Sequence, residues 1–253
     1  MIANYHTHTW RCKHARGSER EYVEQAIAAG MQVLGFSDHT PYLFPRGYVS
    51  YFRMEPHQAE DYFRTIWDLK QEYAKEIQIL LGAEAEYYPA IFEQTLRFLE
   101  QFPCEYLIMG QHYINNETDG VYSGSRTWDE AVLVRYVDQV LEGLSTGLFT
   151  YLAHPDLLQW RGSEEIYRRE MRRLCQGVHK LDLPLEINLL GLYEGRHYPN
   201  DTFWQIAGET GNRVILGCDA HVPQGLNLPE TEAEARKLAG HYGLILQDTV
   251  ELV

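Results

Sequence analysis

IQILLGAE, residues 77–84, is an apolar run of eight residues that ends on a carboxylate. Its length suits a strand, and its near-continuous apolar character suits one buried on both faces of a parallel sheet. The acidic end is the informative part. A strand that stops at Glu84 offers that side chain where parallel αβ folds gather their chemistry, at the C-terminal edge of the sheet.

The same pattern repeats on either side. Upstream, QVLGFS (32–37) runs into Asp38-His39, and a short entry at 1–5 runs into His6-Thr7-His8. Downstream, EYLIMGQH (105–112) ends on His112 and LFTYLAHP (148–155) closes around His154. LPLEIN (183–188) ends with Glu186 and Asn188, and NRVILGCDAH (212–221) carries Asp219 and His221. Helical stretches alternate with these runs. Ser18-x-x-Glu21 is a capping box that opens a helix closed by Gly30, and Pro56 suits the first turn of a helix to about Lys75. Further helices are expected at 89–102, 128–144, 163–181, 200–211 and 230–241, with an extended segment at the end. Seven βα units argue for a parallel sheet. An open doubly wound sheet would use only its switch-point strands for a site. Here all seven strands end in candidate site residues, so the expected fold is a distorted seven-stranded (β/α)7 barrel, TIM-barrel-like, in one domain spanning 1–253.

Composition limits the partners. The formal net charge is −14 with no basic run to offset it, which repels nucleic acid. No apolar stretch approaches a membrane span of about 20 residues. The start, MIANYHTH, lacks a signal-type apolar region, and the site begins at His6. Cys12, Cys104, Cys175 and Cys218 form no CxxC pair and read as reduced thiols, with Cys12 an outside candidate for metal ligation. The expectation is a cytoplasmic enzyme acting on a small substrate. No GxSxG elbow, P-loop, GxGxxG or cysteine-phosphatase loop is present.

His6-x-His8 has strand spacing, which sends both rings to one side. His14 follows in a nearby loop. Asp38 and His39 should point to opposite sides unless the strand bends. The donors are His6, His8, His14, His39, Glu84, His112, His154, Asp219 and His221. That exceeds the needs of one catalytic zinc and suits two or three divalent ions, zinc, manganese or iron, with a carboxylate bridging a pair. Such centres activate water and clamp a phosphoryl group. Arg161 and Arg196 lie on loops after the fifth and sixth strands, and a guanidinium fork suits phosphate. His57, His179 and His241 read as surface residues, His197 as a loop residue near the site. Trp160, Tyr88 and Tyr113 are candidates for a ring-binding wall. The loops 41–53 and 115–127 are candidate lids.

HTH…H, SDH, GAE, GQH, AHPD and DAH, in that order from His6 to His221, resemble the polymerase-and-histidinol-phosphatase (PHP) superfamily. HTHTWRCKHARG and EINLLGLYEGRHYP further resemble its monofunctional histidinol-phosphatase branch. The resemblance implies a barrel with a trinuclear centre. His6, His8, Glu84 and Asp219 would hold one ion. Glu84 would bridge to a second, held with His112 and His154. His14, His39 and His221 would hold a third. It implies attack on phosphorus by a metal-bridging hydroxide, with Arg161 and Arg196 on phosphate oxygens and Asp219 or His221 protonating the leaving alkoxide. The implied reaction is hydrolysis of L-histidinol phosphate in histidine biosynthesis. The alternatives are another small phosphate ester, such as a nucleotide or sugar phosphate, or a metal-binding module without catalysis. The chain departs from the branch at Leu189-Leu190, where a Thr-Ser pair is usual, at Gln111, where Val is usual, and in the displacement of the following basic residue to Arg196.

Overall fold

The computed structural model describes residues 1–253. Four strands form one parallel sheet in sequence order: β1 (Ala3–Asn4), β2 (Val33–Phe36), β3 (Gln78–Ala85) and β4 (Tyr106–Met109). β3 is the run that ends near Glu84, and all but its first residue are buried. A hairpin follows, β5 (Tyr113–Ile114) with β6 (Val121–Tyr122), inside what reads in sequence as plain loop. A second parallel sheet joins β7 (Leu185–Asn188), β8 (Arg213–Gly217) and β9 (Ile245–Leu246).

The two sheets curl toward each other and are stitched at both edges. Leu152 bridges in parallel to Met109 on one side and to Leu185 on the other. At the opposite edge His8 N donates to Ala220 O at 3.0 Å and Ala220 N to His6 O at 3.2 Å. The fold is therefore α/β with a curled parallel sheet. The expected fifth strand, 148–155, does not form a ladder of that length. Residues 150–153 bond to Leu107, Met109 and Pro184, and then His154 turns into φ +29 before Pro155. A left-handed residue followed by a proline without an N–H ends the pairing there. The fourth strand likewise stops at Met109 rather than His112.

Eight helices connect the strands: α1 (Glu19–Ala28), α2 (Ala59–Glu72), α3 (Phe92–Leu99), α4 (Glu130–Leu144), α5 (Glu164–Lys180), α6 (Leu189–Tyr193), α7 (Asp201–Glu209) and α8 (Pro229–His241). Ser18 and Glu21 form the capping box of α1 in both directions. α6 begins directly at the residues after EIN, because the Asn188 side chain accepts the Gly191 N–H at 2.8 Å and caps it. Forty-nine buried residues form the core between sheet and helices. A smaller cluster, including Tyr5, Leu80, Tyr106, Tyr151 and Ile215, packs separately from it. No helix is long and apolar enough to cross a membrane.

Candidate metal centre

β1 delivers His6 and His8 to one place, with Thr7 between them bridged to Ala220. Both rings are fully buried and their Nε2 atoms lie 3.2 Å apart. Asp219 Oδ1 stands 3.1 Å from His8 Nε2 and 3.5 Å from His6 Nε2. Glu84 occupies the middle. Its Oε2 is 3.6 Å from both of those nitrogens and 2.9 Å from His39 Nδ1. Its Oε1 is 2.9 Å from His154 Nε2 and 3.6 Å from His112 Nε2. His14, His39 and His221 bring ring nitrogens within 4.8 Å of one another. The structure thus gathers all nine sequence-predicted donors, Glu84 among them, into one cluster. Cys12 is buried beside them, its Sγ within the same distance of His8 and His221, and accepts the Ala15 N–H at 3.3 Å.

These residues fit divalent ions for a reason in their own hydrogen bonds. His14 Nδ1 donates to Cys12 O at 2.8 Å, and His221 Nδ1 donates to Asp219 O at 2.9 Å. A neutral imidazole with its proton on Nδ1 presents a bare lone pair at Nε2. The two Nε2 atoms nevertheless face each other at 2.8 Å. Two lone pairs at that distance call for a shared cation. Glu84 Oε2 and His39 Nδ1 make the same point, since they lie buried 2.9 Å apart without the geometry of a hydrogen bond between them or to any other group. Imidazole with carboxylate is the donor set of zinc, manganese or iron sites.

The electrostatics agree. Burial works against charge on His6, but Glu186, Asp219 and Glu84 raise its pKa well above the ordinary histidine value. His8 is likewise raised to about 9, against burial, by Asp219 and Asp38. Burial pushes Glu84 and Asp219 up, and the surrounding histidines hold both well below the usual carboxylate range. Burial lowers His39 and His221 well below their ordinary value. The centre of the cluster therefore demands positive charge, and its rim keeps imidazoles neutral and available as ligands.

A second layer of carboxylates sets the ring orientations. Glu186 Oε1 is 2.8 Å from His6 Nδ1, Asp38 Oδ1 3.3 Å from His8 Nδ1, and Glu86 Oε1 3.0 Å from His112 Nδ1. Such partners hold each ring in one tautomer with the other nitrogen inward. In the sequence Glu86 and Glu186 stand out only as strand-end acids, and Arg53, buried against Glu86, gives no signal at all. Two glycines make room. A Cβ on Gly110 would fall 1.8 Å from Glu84 Oε1, and one on Gly217 would fall 1.5 Å from Glu186 Oε1.

The cluster forms the floor of a cavity of about 360 Å³ whose walls include Phe52, Tyr113, Tyr122, Leu190, Arg196 and Tyr198. Arg196 is held there by Glu194, at 2.6 Å, and donates to Tyr198 Oη at 2.7 Å. Arg161 is not brought to this cavity. Its backbone follows Trp160 onto Thr127, and its side chain lines a neighbouring depression with Trp160 and His197. His197 bonds to Leu157 O at 2.7 Å. Tyr88 is buried against Tyr42 and does not wall the cavity, whereas Tyr113 does. Gln111 is structural, its amide bonding to Tyr113 O and accepting from Tyr87 N. His57, His179 and His241 are exposed.

A curled parallel sheet with a histidine–carboxylate cluster under an open cavity defines the class of metal-centred αβ hydrolases. Within it, the PHP domain model matches residues 4–189, and the chain belongs to that family. It is 30% identical to the "Probable histidinol-phosphatase" of Deinococcus radiodurans over 94% of each chain. It is 25% identical to the "Histidinol-phosphatase" of Bacillus subtilis over 85% of this chain and 92% of that one. Among solved structures it resembles a histidinol phosphate phosphatase from Lactococcus lactis subsp. lactis, complexed with zinc, L-histidinol and phosphate. That match has a TM-score of 0.76 at 19% identity and covers 99% of this chain and 97% of the other.

Proposed function

We propose that the protein is a metal-dependent phosphomonoesterase that converts L-histidinol phosphate and water to L-histidinol and phosphate. The observation that carries this reading is the facing of bare imidazole nitrogens, His14 Nε2 and His221 Nε2, in a cavity that also presents Arg196. The names of the full-length relatives supply the substrate. The whole chain acts as one domain, and residues 150–153 are read as the fifth of seven barrel staves.

His6, His8, Glu84 and Asp219 would hold one ion, Glu84 with His112 and His154 a second, and His14, His39 and His221 a third. Bound divalent ions supply a water of lowered pKa and offset charge on the phosphoryl oxygens. The protein does the rest. Glu84 turns one oxygen to each side of the cluster and so sets its spacing. Asp38, Glu86 and Glu186 keep the imidazole lone pairs pointed inward. Arg196 takes phosphate oxygens, aimed by Glu194 and Tyr198. Arg161, facing the neighbouring depression, has to swing to join it, so the phosphate role falls first to Arg196. Phe52, Tyr113 and Tyr122 wall the alcohol portion. As water's oxygen bonds to phosphorus, the ester P–O bond breaks and a proton from that water goes to the leaving alkoxide. Asp219 lines the cavity between His8 and His221 and is placed to pass that proton, with His221 beside it.

The test is phosphate release from L-histidinol phosphate by zinc- or manganese-loaded protein, beside nucleotide and sugar phosphates. A kcat/KM for L-histidinol phosphate within about 10⁴–10⁸ M⁻¹s⁻¹, well above the panel, is expected. Slow and equal hydrolysis of every ester would reject the substrate and keep the metal centre.

A further inference from the structure

Arg53 is a fully buried charged side chain, at 1% exposure, and no part of the mechanism above uses it. Its guanidinium is divided between two carboxylates. Nε donates to Glu117 Oε2 at 2.8 Å. Nη2 donates to Glu86 Oε1 at 2.8 Å and Nη1 to Glu86 Oε2 at 3.2 Å, while Nη1 also donates to Thr40 O at 3.0 Å. The plane is packed against Phe52, whose ring centroid lies 4.4 Å from Cζ, and Tyr42, at 4.9 Å. These four donations lead to three different residues. Glu117 sits in the loop 115–127, where Tyr48 also donates to it at 3.1 Å. Glu86 accepts from His112 Nδ1 through the same Oε1 that Arg53 holds.

We propose that Arg53 is a positioning residue: it fixes the Glu86 carboxylate that orients His112 and ties the loops 41–53 and 115–127 to the metal centre. The inference rests on the metal reading given above. Its logic is charge balance. A buried carboxylate keeps its place only if its charge is compensated. Glu86 has one full cation beside it, Arg53, and one imidazole, His112. Without Arg53, Glu86 would not be held where it can accept from Nδ1, and the His112 ring would lose the partner that points Nε2 at Glu84. The loop tie needs only the Glu117 side of the fork.

The experiment measures metal retention without substrate, so it stands apart from the choice of phosphate ester. Zinc-loaded wild type, Arg53→Met, Glu117→Gln and the double variant Arg53→Met with Glu86→Gln are challenged with EDTA, and zinc per chain is followed in time. Loss of an outer partner of a ligating histidine weakens metal binding by roughly 10–100-fold. Arg53→Met should therefore release zinc at least about tenfold faster than wild type. The double variant should return toward the wild-type rate, because an amide still accepts from Nδ1 and needs no counter-charge. Glu117→Gln, which removes only the loop-side charge, should stay near wild type. Wild-type release from Arg53→Met, or a double variant no better than the single one, would overturn the proposal in favour of a simple loop tie. If Arg53→Met does not fold, Arg53→Lys replaces it. A lysine keeps the charge but cannot fork across both carboxylates, so faster release at an unchanged unfolding temperature is expected, and unchanged release overturns the proposal. A wild-type protein that holds no zinc overturns the metal reading and this inference together.

Discussion

Gly110 ligates nothing, carries no charge and should be indispensable to the metal centre. Its missing side chain is the space into which Glu84 reaches. A Cβ there would stand 1.8 Å from Oε1, where ordinary contact begins at 3.4 Å, so the carboxylate would have to withdraw by about 1.6 Å. The backbone cannot yield in its place. Glu84 N is held by Ser37 O and Asp38 O, Glu84 O by Thr40 N, and Gly110 N by Ala85 O at 3.2 Å. Nor does alanine meet a conformational obstacle, because Gly110 is not among the residues with positive φ. Gly110→Ala is thus a steric test of Glu84 alone. Oε1 sits 2.9 Å from His154 Nε2, and a shift of about 1 Å in a catalytic constellation costs on the order of 10²-fold in rate. That is roughly 2.7 kcal/mol of transition-state stabilisation. Overpacking should add about 1–3 kcal/mol of destabilisation. The assay is kcat/KM and zinc per chain, with thermal unfolding under chelation to isolate the overpacking. A variant with full zinc and kcat/KM within about threefold of wild type would refute the assignment of Glu84 to the middle of the centre.

Replacing Arg196 by Ala should raise KM by about 30–150-fold, from the loss of charge-assisted bonds worth roughly 2–3 kcal/mol, whereas Arg161→Ala should change it far less; equal effects in steady-state kinetics would show that Arg161 swings into the cavity. Chelation should abolish activity and zinc or manganese restore it. At 1,000 times Kd the metal contributes about 4 kcal/mol, so calorimetry should show unfolding roughly 8–16 °C lower without it. Ser18→Ala removes the cap of α1, should cost about 1 kcal/mol and should leave kcat/KM unchanged.

The donors were legible because two rare signals coincide in them: a metal-binding residue type and a place at the end of an apolar run. His6 and His8 needed only the period of a strand, and Ser18 needed only the capping box. The supporting residues had no such signal. Arg53 reaches Glu86 across 33 residues and Glu117 across 64, so nothing local marks it. The fifth strand is shorter than its apolar run, since such a run says nothing about where a positive φ at His154 breaks the pairing. α6 leaves no trace in the sequence because five residues are too short for a periodicity. Loop position alone points Arg161 at the site, but Trp160 bridges to Thr127 and carries the loop away from the cavity.

Asp38 and His39 show how far side-chain alternation can be trusted. A regular strand sends neighbours to opposite faces, which would leave one of the two outside the site. The ladder of β2 ends at Phe36, before the pair begins, and His39 re-enters through a single bridge to Glu84. Freed from the pleat, both side chains are buried and both serve the cluster. His39 brings Nδ1 to Glu84, while Asp38 takes the His8 ring on one oxygen and Thr9, by both backbone N–H and hydroxyl, on the other. The site is therefore built where the sheet stops being regular. His154 and Asp219 make the same point, each turning into positive φ as it leaves its strand. Strand ends name the residues that can serve such a centre, and the departures from strand geometry decide which atoms they present to it.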